Sequence, residues 1–168
     1  DAKYKKRLKI GSFSAASNVT GLKSPVYEIA HIMHKYGALV CFDFAASAPY
    51  VKINMNNDSD TFFDAIFISP HKFVGGPGSS GILVFNERIY NLALSPTSAG
   101  GGTVDFVSST TVDYSKDIET REKSGTPGVL QTIKAALTID LKDAIGIDNI
   151  EFKELEYTTR ALERLSKH

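Results

Sequence analysis

Ala38-Leu39-Val40-Cys41-Phe42-Asp43-Phe44 is the stretch whose reading decides the fold. Its apolar residues run without alternation and close on one carboxylate, the pattern of a strand covered on both faces with a polar residue at its carboxyl end. In open α/β sheets that edge is where ligands bind. Before it, Val26, Ile29, Ala30 and Met33 recur at helical spacing, Pro25 suits the first helical position, and Ser24 is placed to cap the free amides. Gly37 ends this helix, and Leu8 to Ser14 ahead of it reads as a short strand ending in small polar residues. Strand, helix and strand in that order predict a parallel pair with a right-handed crossover.

The polar segment Asn54 to Asp60 reads as a surface loop, after which Phe62 to Ile68 supplies a further strand. That strand runs into Ser69-Pro70-His71-Lys72-Phe73-Val74-Gly75-Gly76-Pro77-Gly78. A lysine at the end of an apolar run is either a solvated loop residue or an amine whose pKa is lowered by burial or a neighbouring cation. A neutral amine forms Schiff bases with carbonyl compounds. Asp43 and Lys72, each closing an apolar strand, match the minimum that pyridoxal phosphate demands: an amine for the aldehyde and an acid for the pyridinium nitrogen. Gly75 to Gly81 has the composition of a phosphate loop, but it lacks the Lys-Ser/Thr ending and precedes the strand-like Ile82-Leu83-Val84-Phe85. A nucleotide-binding module therefore fails on context, and a tight turn into the next strand is expected instead, antiparallel if the turn is a hairpin.

Five segments in one order extend the comparison: Ser17-Asn18-Val19-Thr20-Gly21, Asp43-Phe44-Ala45-Ala46, Ser69-Pro70-His71-Lys72, Gly100-Gly101-Gly102-Thr103 and Arg121-Glu122-Lys123-Ser124-Gly125-Thr126-Pro127. Together they resemble the class V aminotransferases, the pyridoxal-phosphate family that includes cysteine desulfurases and selenocysteine lyases. The resemblance implies a fold-type-I large domain, α/β with a mostly parallel sheet flanked by helices. It implies that Lys72 carries the Schiff base, Asp43 faces the ring nitrogen, Asn18 lies near the phenolic oxygen, and Ser69 and His71 help hold the phosphate. Ser109 to Thr111, with Thr110 at its centre, marks where family members reach a neighbouring subunit's phosphate, so a homodimer with shared active sites is implied. The expected substrate is an amino acid. Many desulfurases have Gln three residues after the Asp, whereas this chain has Ala46 followed by Ser47.

At 168 residues the chain is long enough for one domain with a sizeable core. Complete family enzymes are longer, so the resemblance implies that residues 1–168 are part of a cofactor-binding large domain, with 147–168 leading towards a small domain. A non-catalytic homologue or isolated binding domain is the competing reading. Net charge is zero with both signs interspersed, which leaves no broad footprint for nucleic acid. The basic run Lys3 to Arg7 is read as a solvated face. With no long apolar run, no membrane span is expected. The single Cys41 permits no internal disulfide and suits a reducing compartment, cytoplasmic or organellar.

Cys41 lies inside the apolar run, so a buried structural thiol is expected in place of a mobile sulfur carrier. His31 and His34 stand one helical turn apart without a third ligand and are read as partly exposed helix residues, with no metal site. Arg121 is placed either to meet a carboxylate or phosphate or to form a surface salt bridge. Leu92 to Gly102 is a small-residue, glycine-rich connection. Thr126-Pro127 opens a helix with Leu130, Ile133, Leu137, Leu141 and Ala144 on one face and Gly146 at its end. Asp148 to Glu151 has capping-box spacing for a last helix with a buried stripe of Leu155, Thr159, Leu162 and Leu165.

Overall fold

The computed structural model describes residues 2–167. Among them, β1 (Ile10–Ser14), β2 (Leu39–Asp43), β3 (Ala65–Ile68) and β4 (Ile82–Phe85) form one sheet in the order β1-β2-β3-β4. β1, β2 and β3 run parallel, with Ser14 opposite Asp43 and Asp43 opposite Phe67. β4 pairs antiparallel with β3, the outcome expected if the glycine-rich turn between them forms a hairpin. Gly75 and Gly78 in that turn have φ of 78° and 83°, which residues with a Cβ rarely adopt.

The helix α1 (Val26–Lys35) joins β1 to β2. Ala30 on it is fully buried, while Val26, Ile29 and Met33 pack against the core as their spacing predicts. The core centres on Phe42, which meets Phe63 edge-on at 4.8 Å between ring centroids and also contacts Phe44 and Phe13. Val40, Phe42 and Phe63 are wholly buried, so β2 is covered on the face that carries them. Cys41, on the opposite face, is half-buried, less enclosed than the continuous apolar run predicts.

Two local expectations at this end change. β1 begins at Ile10, with Leu8 left exposed before it. Ser24 does not cap α1: its hydroxyl donates to the Ser14 carbonyl at 2.8 Å, and Pro25 occupies the cap position without a side-chain bond. The hydroxyl secures the crossover to β1 instead.

Asp64 is a buried acid just before β3. Its Oδ2 accepts from the Val40 amide at 2.9 Å and lies 3.1 Å from His34 Nε2. His34 Nδ1 lies 3.0 Å from the Asp60 carbonyl, so both ring nitrogens face acceptors. His31 reaches the Asp60 carboxylate at 2.7 Å from a half-exposed position. These histidines tie α1 to the segment entering β3, and no group of three metal-ligating side chains occurs among the described residues.

The chain divides into two compact units, one made of the residues up to Asn86 with those from Leu130 onward, the other of Glu87–Val129. The sheet, α1, most of α3 (Val129–Ile145) and α4 (Ile147–Leu165) belong to the first. α3 contributes Ile139 to the core periphery and buries Ala135 and Thr138. The face carrying Leu130, Ile133, Leu137 and Leu141 is exposed instead. Leu155, Leu162 and Leu165 of α4 are likewise 62–72% exposed, so the expected buried stripe is not buried here. Periodicity puts these side chains on one face, and the elements described supply no layer to cover it. α4 also lacks the expected capping box: Gly146, at φ 83°, takes the cap position with no side-chain bond, and Asp148 falls inside the first turn.

In the second unit, β5 (Val104–Val107) and β6 (Val112–Tyr114) form an antiparallel hairpin, followed by α2 (Ile118–Glu122). Asp117 caps α2 by accepting from the Thr120 amide at 2.7 Å. Two of the sequence motifs interlock here. The buried Thr103 hydroxyl donates to the Gly100 carbonyl at 2.8 Å, the Gly125 amide donates to the Gly101 carbonyl at 2.9 Å, and a Cβ on Gly100 would lie 2.2 Å from Ser124 Oγ. No helix among the described residues is long and apolar enough to cross a membrane.

Candidate functional site

Leaving β3, Pro70–Lys72 form a single 3-10 turn. Pro70 and Phe73 are buried and hold the turn from both ends, which leaves His71 and Lys72 exposed between them. The Lys72 amide donates to the Ser69 carbonyl at 3.0 Å and the Phe73 amide to the Pro70 carbonyl at 2.9 Å. Gly76 folds back onto this turn so closely that a Cβ there would lie 1.9 Å from the Pro70 carbonyl oxygen. The glycine therefore serves close backbone approach, and the turn it closes is the one that presents Lys72.

After β1, Asn18 sits in a turn built by Ser17. The Ser17 hydroxyl accepts from the amides of Val19 and Thr20, both at 3.2 Å, and the Ser17 carbonyl accepts from Gly21 at 3.0 Å. Asp43 ends β2, exposed, with Oδ1 accepting from the Ala45 amide at 2.7 Å. After it, Phe44 to Val51 coil into a compact turn in which the Phe44 carbonyl receives the amides of Ser47 and Ala48. Three strand ends thus deliver three short turns to one edge of the sheet, the carboxyl edge of the parallel strands.

A cavity of about 350 Å³ lies between these turns and α4. Asn18, Lys23, Ala46, Ser47, Tyr50, Lys72 and Glu154 are among the residues that line it. Of the sequence-predicted residues it gathers Asn18 and Lys72. Asp43, Ser69 and His71 stand on the same turns but outside its lining. Thr110 belongs to the other unit, in the turn between β5 and β6, where its amide donates to Ser108 Oγ at 3.2 Å. Arg121 is not a surface residue. It is buried, stacks over Tyr114 at 5.1 Å, and donates to the carbonyls of Ser115, Leu92 and Leu94, holding the 92–94 connection against α2.

The lining chemistry suits a small anionic aldehyde: a primary amine, an amide, a second ammonium on Lys23, and the buried Ser47 hydroxyl, which has no hydrogen-bond partner among the described residues. Buried hydroxyls are rarely left unpaired, and a polar ligand or water is the usual partner. The cavity also falls within the size range of small-molecule and cofactor sites. Cys41 is not part of this lining, and burial, then the negative charge of Asp64, push its thiol pKa up, away from the reactive thiolate.

Sequence reasoning missed Lys23, Tyr50, Glu154 and, behind the cavity, Lys142. Lys142 Nζ donates to the carbonyls of Ala48 and Val51, each at 2.7 Å, and desolvation lowers its pKa from the ordinary lysine value against the opposing pull of Asp143. Its signal was a cation one residue from Leu141 on a helix expected to pack.

The aminotransferase class-V family model matches residues 1–168, the whole chain. The chain belongs to the class V aminotransferase family. Within that family it is 35% identical over 161 residues to a protein of Halalkalibacterium halodurans named "Probable cysteine desulfurase", and 34% identical over 160 residues to one of the same name from Staphylococcus aureus. The alignments take in 96% and 95% of this chain but 38% and 37% of those proteins, so the chain spans less than two fifths of their length. Among solved structures, the apo cysteine desulfurase of Thermococcus onnurineus superposes with a TM-score of 0.84 at 28% identity, over 98% of this chain and 40% of that one. A cysteine desulfurase of Escherichia coli superposes with the same score at 24% identity, covering 95% and 39%, and supports the fold. The mixed sheet of parallel strands flanked by helices is thus the fold of these family members.

Proposed function

We propose that the full-length protein binds pyridoxal 5′-phosphate covalently through the Lys72 amine and acts on an amino acid as a class V aminotransferase or cysteine desulfurase-like enzyme. The observation that carries this reading is the exposed lysine of the Ser69-Pro70-His71-Lys72 turn opening into a cavity shared with Asn18, in a chain the family model matches throughout. When bound, the cofactor supplies an electron sink for a negative charge developing on the substrate's α-carbon. With the cofactor bound, Lys72 Nζ would be the general base and acid that moves the substrate's α-proton. Asp43, at the exposed end of β2, would supply the carboxylate that keeps the cofactor's ring nitrogen protonated. Ser69 and His71 supply donors to the phosphate, and Thr110 supplies one from a second copy of the chain in a homodimer. Asn18 orients the ring through its amide.

L-cysteine is the substrate that the names of the relatives suggest. Cys41 is not the acceptor of its sulfur, because it sits within β2 between β1 and β3 and outside the cavity lining.

The test is to incubate the full-length protein with pyridoxal 5′-phosphate, reduce with borohydride, and map the modified peptide by mass beside Lys72→Ala. Stoichiometric labelling at Lys72 that disappears in the variant is expected. Labelling scattered over other lysines, or none, overturns the reading.

A further inference from the structure

We propose that Lys142 is a positioning residue of the Lys72 site: from α3 it holds in place the turn that forms one wall of the cavity. The wall is the Phe44 to Val51 turn after Asp43, from which Ala46, Ser47, Tyr50 and Val51 face the cavity. Inside this turn the Ser47 and Ala48 amides are satisfied by the Phe44 carbonyl and the Tyr50 amide by the Ser47 carbonyl. The Ala48 and Val51 carbonyls point the other way, and Lys142 Nζ lies 2.7 Å from each. Hydrogen bonds from a charged donor are about twice as strong as neutral ones, and here one ammonium bridges both ends of a turn.

Lys142 also touches the opposite wall. Its Nζ sits 5.8 Å from the centroid of Phe73, the buried ring that follows Lys72 and anchors the 3-10 turn. A small cavity of about 100 Å³, lined by Tyr50, Lys72, Phe73 and Lys142 among others, separates this bridge from the larger one. Lys142 is therefore absent from the lining where a ligand would sit, yet it joins the two turns whose spacing fixes where Lys72 stands relative to Ser47 and Tyr50. Half-burial and the downward-shifted pKa agree with an ammonium enclosed to do this, since a lysine with no such duty extends into water.

This inference rests on the proposed cofactor chemistry, and its test separates the two. The full-length protein and its Lys142→Met, Lys142→Arg and Lys142→Gln variants are titrated with pyridoxal 5′-phosphate. Affinity and the induced circular dichroism of the bound chromophore, which reports its orientation, are both recorded. Lys142→Met keeps the stem but no donor and is expected to bind about ten-fold more weakly with a diminished signal, a factor equal to about 1.4 kcal/mol. Lys142→Arg restores both readouts towards the wild type. Unchanged affinity and unchanged dichroism in Lys142→Met overturn the proposal, as does a loss that Lys142→Arg fails to recover. Should Lys142→Met fail to fold, Lys142→Gln decides: its shorter amide reaches one carbonyl at most, so a signal and affinity equal to wild type refute the bridge. Absence of pyridoxal phosphate uptake by the wild type overturns the cofactor reading and this inference together.

Discussion

Replacing Gly76 by alanine tests the claim that the glycine-rich turn exists to present Lys72. The added methyl would stand 1.9 Å from the Pro70 oxygen, 2.9 Å from the Pro70 carbonyl carbon and 3.0 Å from the Phe73 oxygen. All three are backbone atoms, so no side-chain rotation relieves the clash. Ordinary contact begins near 3.4 Å, and the Pro70 carbonyl must retreat by about 1.5 Å. That carbonyl accepts the Phe73 amide and closes the turn, while the Gly76 amide itself donates to the Phe73 carbonyl at 2.9 Å. Overpacking of side chains costs about 1–3 kcal/mol, and a rigid backbone obstacle places Gly76→Ala near about 3 kcal/mol. Urea denaturation of the full-length protein reads this loss, and borohydride labelling reads the accompanying fall in Lys72 modification. Gly101→Ala serves as the control, because nothing lies within 4 Å of its added methyl. A Gly76→Ala protein less than about 0.5 kcal/mol weaker than wild type, within the range of an ordinary surface substitution, and labelled at Lys72 as fast, would refute the reasoning.

Two further outcomes concern the second unit. Arg121→Met removes the donor that serves the Ser115, Leu92 and Leu94 carbonyls while keeping much of the stem, and is expected to cost about 3 kcal/mol; limited proteolysis should then cut first within residues 87–129, and a cleavage pattern equal to wild type contradicts this. Glu122 has its pKa held below the usual carboxyl value by the Tyr90 hydroxyl and then the Thr97 amide. A carboxylate lowered in the folded state stabilises above its unfolded pKa and loses that contribution as pH falls through the folded value. Tyr90→Phe should therefore flatten the decline of melting temperature between about pH 6 and about pH 3, and an unchanged slope speaks against the pair.

The sheet was legible in the sequence where a single physical demand governed a segment. Ala38 to Phe42, apolar without alternation, announced a strand of the sheet although only the Val40 and Phe42 face proved fully covered, and Gly75 to Gly81 could turn tightly only with glycines at positive φ. What stayed hidden were choices between two satisfactory partners. Ser24 can cap a helix or bond the strand before it, and tertiary placement selects the Ser14 carbonyl. Arg121 and Lys142 have side chains long enough to reach either solvent or buried carbonyls, and spacing along one element does not say which. The faces of α3 and α4 were correctly grouped by period, but burial depends on a second layer that no helical pattern announces. The carboxyl-edge positions of Asn18, Asp43 and Lys72 followed from strand ends alone, whereas Lys23 and Tyr50 sit further along the turns after β1 and β2, and Glu154 reaches the cavity from α4, distant in sequence.

Asp64 carries a consequence for how the two outer motifs find each other. Its amide donates to the Val40 carbonyl, its carboxylate receives the Val40 amide, and its own carbonyl receives Asn86 from the far end of β4. One residue thus indexes three strands along one edge of the sheet, where β2 and β3 begin and the antiparallel β4 ends. A slip of one position in a pleated strand turns every side chain to the opposite face. Counting from this common origin, three residues of β3 bring Phe67 level with Asp43, and the next turn then releases Lys72. The alignment of acid and amine at the carboxyl edge is therefore set at the opposite edge, by a carboxylate that never approaches the cavity.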